Sequence, residues 1–140
     1  MKLAQEISRF RKVDLETVSI GSLLHDVGRA KTHGILHGVE GGRILREMGA
    51  ERFSSFAENH LGAGIPAEEA VELGLPPRNF LPRTLEEKIV TYADKLVMGK
   101  EVVPFERVLE SFKSELGENH ASIRRLESLH KEIEALRKGF

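Results

Sequence analysis

Apolar residues recur at intervals of three and four along almost the whole chain, and no run of alternating or β-branched residues is long enough to make a strand. That periodicity sets the fold class. Stripes with the helical repeat are buried by packing helix on helix, so the expectation is an all-α bundle of about seven to eight helices. A length of 140 residues is enough for one domain with a core of its own, without disulfides or a structural metal.

Capping residues, glycines and prolines place the elements. Leu3, Ile7 and Phe10 mark a first helix, and Asp14 stands where an N-cap belongs. The helix it opens has the stripe Ile20, Leu23, Leu24 and Val27 and should end near Gly28. A third segment, from about 38 to 48, carries Ile44, Leu45 and Met48 and stops at Gly49; a fourth, 51 to 61, aligns Phe53, Phe56, Ala57, His60 and Leu61. Pro66 opens a short helix that closes near Gly74. The following stretch, GLPPRNFLPRT, holds three of the five prolines and must be extended or turning.

Thr84 and Glu87 make a capping-box start for a helix through Leu85, Ile89, Val90, Ala93 and Val97, ending by Gly99. Pro104 begins another, with Phe105, Val108, Leu109, Phe112 and Leu116 on one face. Residues 118 to 138 form a highly charged final helix carrying Leu126, Leu129, Ile133 and Leu136. Two heptads are too few for a coiled coil, so this helix is expected to dock on its own domain. His120 and His130 read as solvated side chains on its polar face. No internal repeat or domain boundary interrupts residues 1 to 140.

Composition narrows the function classes. The formal net charge is −1, with no Trp and one Tyr, which disfavours a nucleic-acid partner. No apolar run approaches the roughly twenty residues a membrane span needs, and no basic start leads into an apolar signal core, so a cytoplasmic protein is expected. The absence of Cys removes thiol catalysis and Cys-based zinc sites; a bound metal must use imidazole, carboxylate and water.

The acids and histidines are distributed unevenly. The chain uses nineteen Glu but three Asp, and Asp26 and Asp94 fall within helical patterns, where Asp is the poorer helix former. Asp94 shares a face with Val90, Ala93 and Val97, so the helix that buries them also turns a short carboxylate inward, which is costly unless it is paired or bound to a cation. His60 lies on the apolar face defined by Phe53, Phe56 and Ala57. His37 begins the third helix, and His25 directly precedes Asp26. Each alone has an ordinary structural explanation. Together they bring imidazole and carboxylate from four segments toward one interior, the donor set of a hard-to-borderline cation with hydrolytic use.

The stretches LLHDVGR, HGVEGGRIL, ENHLGAGIP and EKIVTYADKLV, in that order, resemble the HD-domain metal-dependent phosphohydrolase superfamily, in its HDIG variant. The resemblance covers roughly residues 3 to 98 and implies a single HD domain with a C-terminal helical extension from 99 to 140. It also implies that His25, Asp26 and Asp94 ligate a divalent metal ion (Mn, Fe, Ni, Zn, Co or Mg). His37 and His60 are similar to the histidines that hold a second ion in binuclear members. Asp26 is then the catalytic residue, both ligating and orienting water.

The family's first ligand is a His on the preceding helix, and no His occurs before His25; by spacing it would fall before Met1, which suggests a missing N-terminal segment. An apolar strip left uncovered there would favour homo-oligomers. Arg29 stands where some nucleotidase members carry an acid. With Lys31, His33 and Lys95, it is a candidate contact for the non-bridging oxygens of a small, nucleotide-like phosphorylated substrate. The expected function is therefore a phosphomonoesterase or phosphodiesterase. The alternative is a non-catalytic HD module with an incomplete metal site, binding a nucleotide or a protein partner.

Overall fold

Asp14 accepts a hydrogen bond from the Thr17 N–H at 3.0 Å, and this cap fixes where the second helix begins. In the computed structural model, which describes residues 1–140, eight α-helices follow in order. They are α1 (Lys2–Ser8), α2 (Leu15–Leu24), α3 (His37–Glu47), α4 (Ser54–Glu58), α5 (Ala67–Glu72), α6 (Leu85–Lys95), α7 (Phe105–Leu116) and α8 (Ala121–Arg137). Short 3-10 turns at Val27–Ala30 and Glu51–Phe53 lead into α3 and α4. The fold is all-α apart from one two-stranded ribbon, as the periodicity requires.

One apolar core runs through the bundle. Ile7 of α1, Leu45 of α3, Phe56 of α4, Ile89 of α6, and Leu126 and Ile133 of α8 are all within it. The final helix docks on α6 and α7, burying Ile123, Leu126, Leu129 and Ile133. A second, smaller cluster forms under residues 61–80, where Ile65 and Phe80 exchange backbone hydrogen bonds of 2.9 and 2.7 Å. The proline-rich stretch is thus extended, and Phe80 pins it down.

Several boundaries differ from the sequence expectation, each for a local reason. The first helix ends at Ser8, which leaves Phe10 half-exposed. The second ends at Leu24: Val18 and Gly21 face inward, while Leu23 is 81% exposed and lies off the buried stripe. The fourth helix is a 3-10 turn followed by only Ser54–Glu58, so His60 lies beyond it. At the end of α6 the chain turns into a hairpin. Strands β1 (Val97–Met98) and β2 (Glu101–Val102) pair antiparallel around Gly99 and Lys100, so Val97 is not on the helical face.

His120 and His130 are both engaged. His120 caps α8, its Nδ1 accepting from the Ser122 N–H at 3.1 Å. His130 stacks on Phe105 with ring centroids 3.7 Å apart, and its Nδ1 lies 2.6 Å from the Tyr92 hydroxyl. Neither is simply a solvated side chain.

Candidate metal centre

His25 stands at the C-terminal end of α2, its N–H bonded to the Gly21 carbonyl, and Asp26 leads into the 3-10 turn. That turn lies directly against the start of α3. A Cβ added to Gly28 would fall 1.7 Å from the His37 carbonyl oxygen, so only glycine permits the approach. The contact places His37, the first residue of α3, beside Asp26. His60 arrives from the segment after α4, which is tied to α6 by a buried hydrogen bond of 3.1 Å from Asn59 Nδ2 to Glu87 Oε1. Asp94 comes from the last turn of α6.

The three imidazoles are oriented in the same way. His25 Nδ1 lies 2.7 Å from the Ser22 carbonyl, His37 Nδ1 2.9 Å from the Gly34 carbonyl, and His60 Nδ1 2.7 Å from the Ala57 carbonyl. A carbonyl only accepts, so each Nδ1 carries the proton and each neutral ring presents Nε2 as a bare lone pair. Those lone pairs converge on two carboxylates. His60 and His37 Nε2 lie 3.2 and 3.4 Å from Asp26 Oδ1 and 3.0 Å from each other. His25 Nε2 lies 3.1 Å from Asp94 Oδ1 and 3.5 Å from Asp26 Oδ2.

Lone pairs facing lone pairs at these distances need a positive charge among them, either a proton or a cation. The atom that shows this most clearly is Asp26 Oδ1, which is buried and lacks any well-formed hydrogen bond despite three nitrogens nearby. The donor set, imidazole nitrogen and carboxylate oxygen, suits a divalent cation of borderline softness. Ligand atoms of His25, Asp26 and His60 all lie within 4.8 Å of one another. Anchoring the distal nitrogen of each ring to a carbonyl is the outer-shell arrangement that fixes tautomer and aim in metal-binding histidines.

The electrostatics follow the same contacts. His37 and His60 hold the Asp26 carboxyl well below the usual carboxylate range. Burial alone would raise Asp94, yet His25 and Lys95 keep it well below that range too. Burial pulls His25 down, but Asp94 outweighs it and the ring is raised overall; burial lowers His60.

The remaining candidates divide. Arg29 Nε stands 3.3 Å from Asp26 Oδ1, and the side chain is about half-exposed. Lys31 and His33 are exposed on the loop between the 3-10 turn and α3, away from any ion pair. Lys95 is largely buried: its ammonium donates to the His60 carbonyl at 2.8 Å and to Asp94 Oδ2 at 2.9 Å. A cleft of about 310 Å³ opens beside Asp94 and Lys95, lined also by Arg29, Gly62 and, from α7, Ser111 and Phe112. The sequence pattern assigns Phe112 to the apolar face of α7 and gives Ser111 no role, because nothing in their spacing shows that both border this cleft.

Among known proteins, the chain is 54% identical over 128 residues to a Methanocaldococcus jannaschii protein described only as uncharacterised, covering 91% of this chain and 76% of that protein. It is 43% identical over 131 residues to a tRNA (cytidine(56)-2'-O)-methyltransferase of Thermoplasma volcanium, covering 93% of this chain but 38% of that protein. The methyltransferase of the same name from Picrophilus torridus is 35% identical over 136 residues, covering 96% of this chain and 39% of that protein. The chain thus spans less than two-fifths of either methyltransferase. No solved structure matches. A family model described as "HD domain" matches residues 1–99, and the chain belongs to that family.

Proposed function

We propose that the chain is a divalent-metal-dependent phosphohydrolase acting on a nucleotide-like phosphoester. The observation that carries this reading is the convergence of three bare Nε2 atoms on Asp26 and Asp94, with Asp26 Oδ1 left unsatisfied. Asp26 divides the donors into two groups: Oδ2 faces His25, which itself meets Asp94, while Oδ1 faces His37 and His60. A mononuclear or a binuclear centre fits that division. A divalent cation held there supplies charge neutralisation at a phosphoryl oxygen and acidifies water.

The chain's own groups do the rest. Asp26 would both ligate the cation and orient the attacking water. Arg29 offers a guanidinium to the non-bridging oxygens. Lys31 and His33 lie on the loop at the substrate side, and Lys95 keeps positive charge at the cleft while fixing Asp94.

A second reading is favoured by the relatives: in two of them the matching region is a part of a larger tRNA methyltransferase. On that reading the chain is a non-catalytic module that binds a nucleotide or a protein partner. Metal analysis of the purified protein, followed by phosphodiesterase and nucleotidase assays with manganese, nickel or iron, separates the two. Hydrolysis that disappears in Asp26→Ala and Asp94→Ala supports the enzyme. Metal-free wild-type protein, or metal binding untouched by the double substitution, refutes it.

A further inference from the structure

The cleft beside Asp94 has a neighbour. On the other side of Gly62, which borders both, lies a pocket of about 290 Å³ whose floor is apolar. Ile35, Leu73 and Leu116 converge on it, each 41–46% exposed, so three of the molecule's uncovered large hydrophobic side chains meet in one concavity. Ile35 belongs to the same loop as Lys31 and His33. Leu116 at the end of α7, His120 in the connection and Ser122 at the start of α8 lie outside the residues that match the HD family. The pocket thus joins the HD-matched residues to the helices that follow them.

Its rim has fixed polarity. Because His120 Nδ1 accepts from the Ser122 N–H, the neutral ring carries its proton on Nε2, making it a donor. Glu72 adds an exposed carboxylate, an acceptor. An apolar floor with one donor and one acceptor at its edge suits a flat heteroaromatic ring that has both kinds of group on one side. The acidic rim repels phosphate, whereas Arg29 and Lys95 across Gly62 attract it, which gives a bound ligand one direction.

We propose that this pocket receives the base of a nucleoside phosphate bearing an exocyclic amine, with the phosphate lying in the Arg29–Asp94 cleft. The orientation rests on the phosphoester reading above; the pocket itself does not need catalysis. The amine donates to Glu72, and His120 Nε2–H donates to a ring nitrogen.

Fluorescence anisotropy of N-methylanthraniloyl adenosine monophosphate, in chelator and again with manganese, tests it. Adenosine monophosphate should displace the probe about tenfold better than either inosine monophosphate or ribose 5-phosphate. Ile35→Asp and Leu116→Gln, both at half-exposed positions, should collapse the preference over ribose 5-phosphate, and Glu72→Gln the preference over inosine monophosphate. Met48→Ser, a distant exposed position, should leave all three values unchanged. Equal competition by all three ligands, ratios that survive the pocket substitutions, or no binding under either condition overturns the proposal. Base-selective binding without hydrolysis of adenosine monophosphate on adding manganese would leave the pocket standing and remove the phosphomonoesterase form of the reading alone.

Discussion

The Nε2 atoms of His37 and His60 stand 3.0 Å apart, and each ring has already committed its Nδ1 proton to a backbone carbonyl. Two neutral rings so placed repel, so the pair holds either a shared proton or a cation, together with Asp26 Oδ1. Cation binding should therefore stabilise the fold. At about a hundred times Kd the linkage contributes about 2.7 kcal/mol, a rise of roughly 10 °C in Tm for a chain of this size. Scanning calorimetry with manganese checks this, and His60→Ala with Asp26→Ala should abolish the rise.

Without metal, the same carboxylates set the acid limit. Asp26 and Asp94 both sit below the ordinary value of 3.8, so their contribution is fully present above that pH. As pH falls below it, the unfolded chain binds protons that the folded chain refuses, and stability drops. The histidines oppose each other. His60, lowered by burial, costs stability as pH falls below 6.5, whereas the contribution of raised His25 is complete below 6.5 and is lost as pH rises through its folded value. Urea midpoints of chelated protein should fall steeply below about pH 4, and Asp26→Asn or Asp94→Asn should flatten that limb.

Gly28→Ala is expected to be among the most damaging small substitutions. The new methyl would overlap the His37 carbonyl and crowd the Gly41 N–H, forcing α3 away from the 3-10 turn and taking His37 with it. A loss of about 3 kcal/mol or more is expected, with weakened metal uptake. Gly34→Ala, whose Cβ meets only Thr32 Oγ1 at 4.0 Å, provides the comparison and should be close to neutral. Denaturant titration of the two variants distinguishes steric exclusion from a general cost of losing glycine.

Tyr92 is the only tyrosine, so its ionisation can be followed without interference. Burial, reinforced by Glu134, pushes its phenol up to about 12. Absorbance titration of the folded protein should show a midpoint near that value, returning to the ordinary 10.0 in denaturant. Because the folded value is the higher one, the contribution holds below pH 10.0 and is lost as pH rises through the folded value. Tyr92→Phe removes the contact with His130 and should cost about 1 kcal/mol while leaving metal binding intact.

The helices and most donor positions could be read from the sequence because both depend on spacing: apolar stripes mark the buried face, and an inward Asp or His stands out against it. Asp94 is the clearest example. What spacing cannot show is how a helix ends. His60 was placed on a helical face, but α4 stops at Glu58, and His60 is buried through the irregular segment held by Asn59 and Glu87. Lys95 reads from the sequence as a contact for substrate oxygens; in the fold its long stem reaches back to the His60 carbonyl and to Asp94. The carbonyl anchors on the three imidazoles are backbone atoms, which carry no residue signature at all.

The C-terminus packs against the residues that follow α1. Arg137 Nε donates to Glu6 Oε2 at 2.6 Å, Arg11 reaches the Phe140 carbonyl at 3.3 Å, and Gly139 lies against the Phe10 ring. A polypeptide joined after Phe140 would leave beside residues 10–11, whereas one joined before Met1 would leave from the opposite end of α1. A linker long enough to run along α1, about 15 Å, joining residues 140 and 1, with new ends opened in the exposed loop at 31–36, should therefore give a circular permutant that folds.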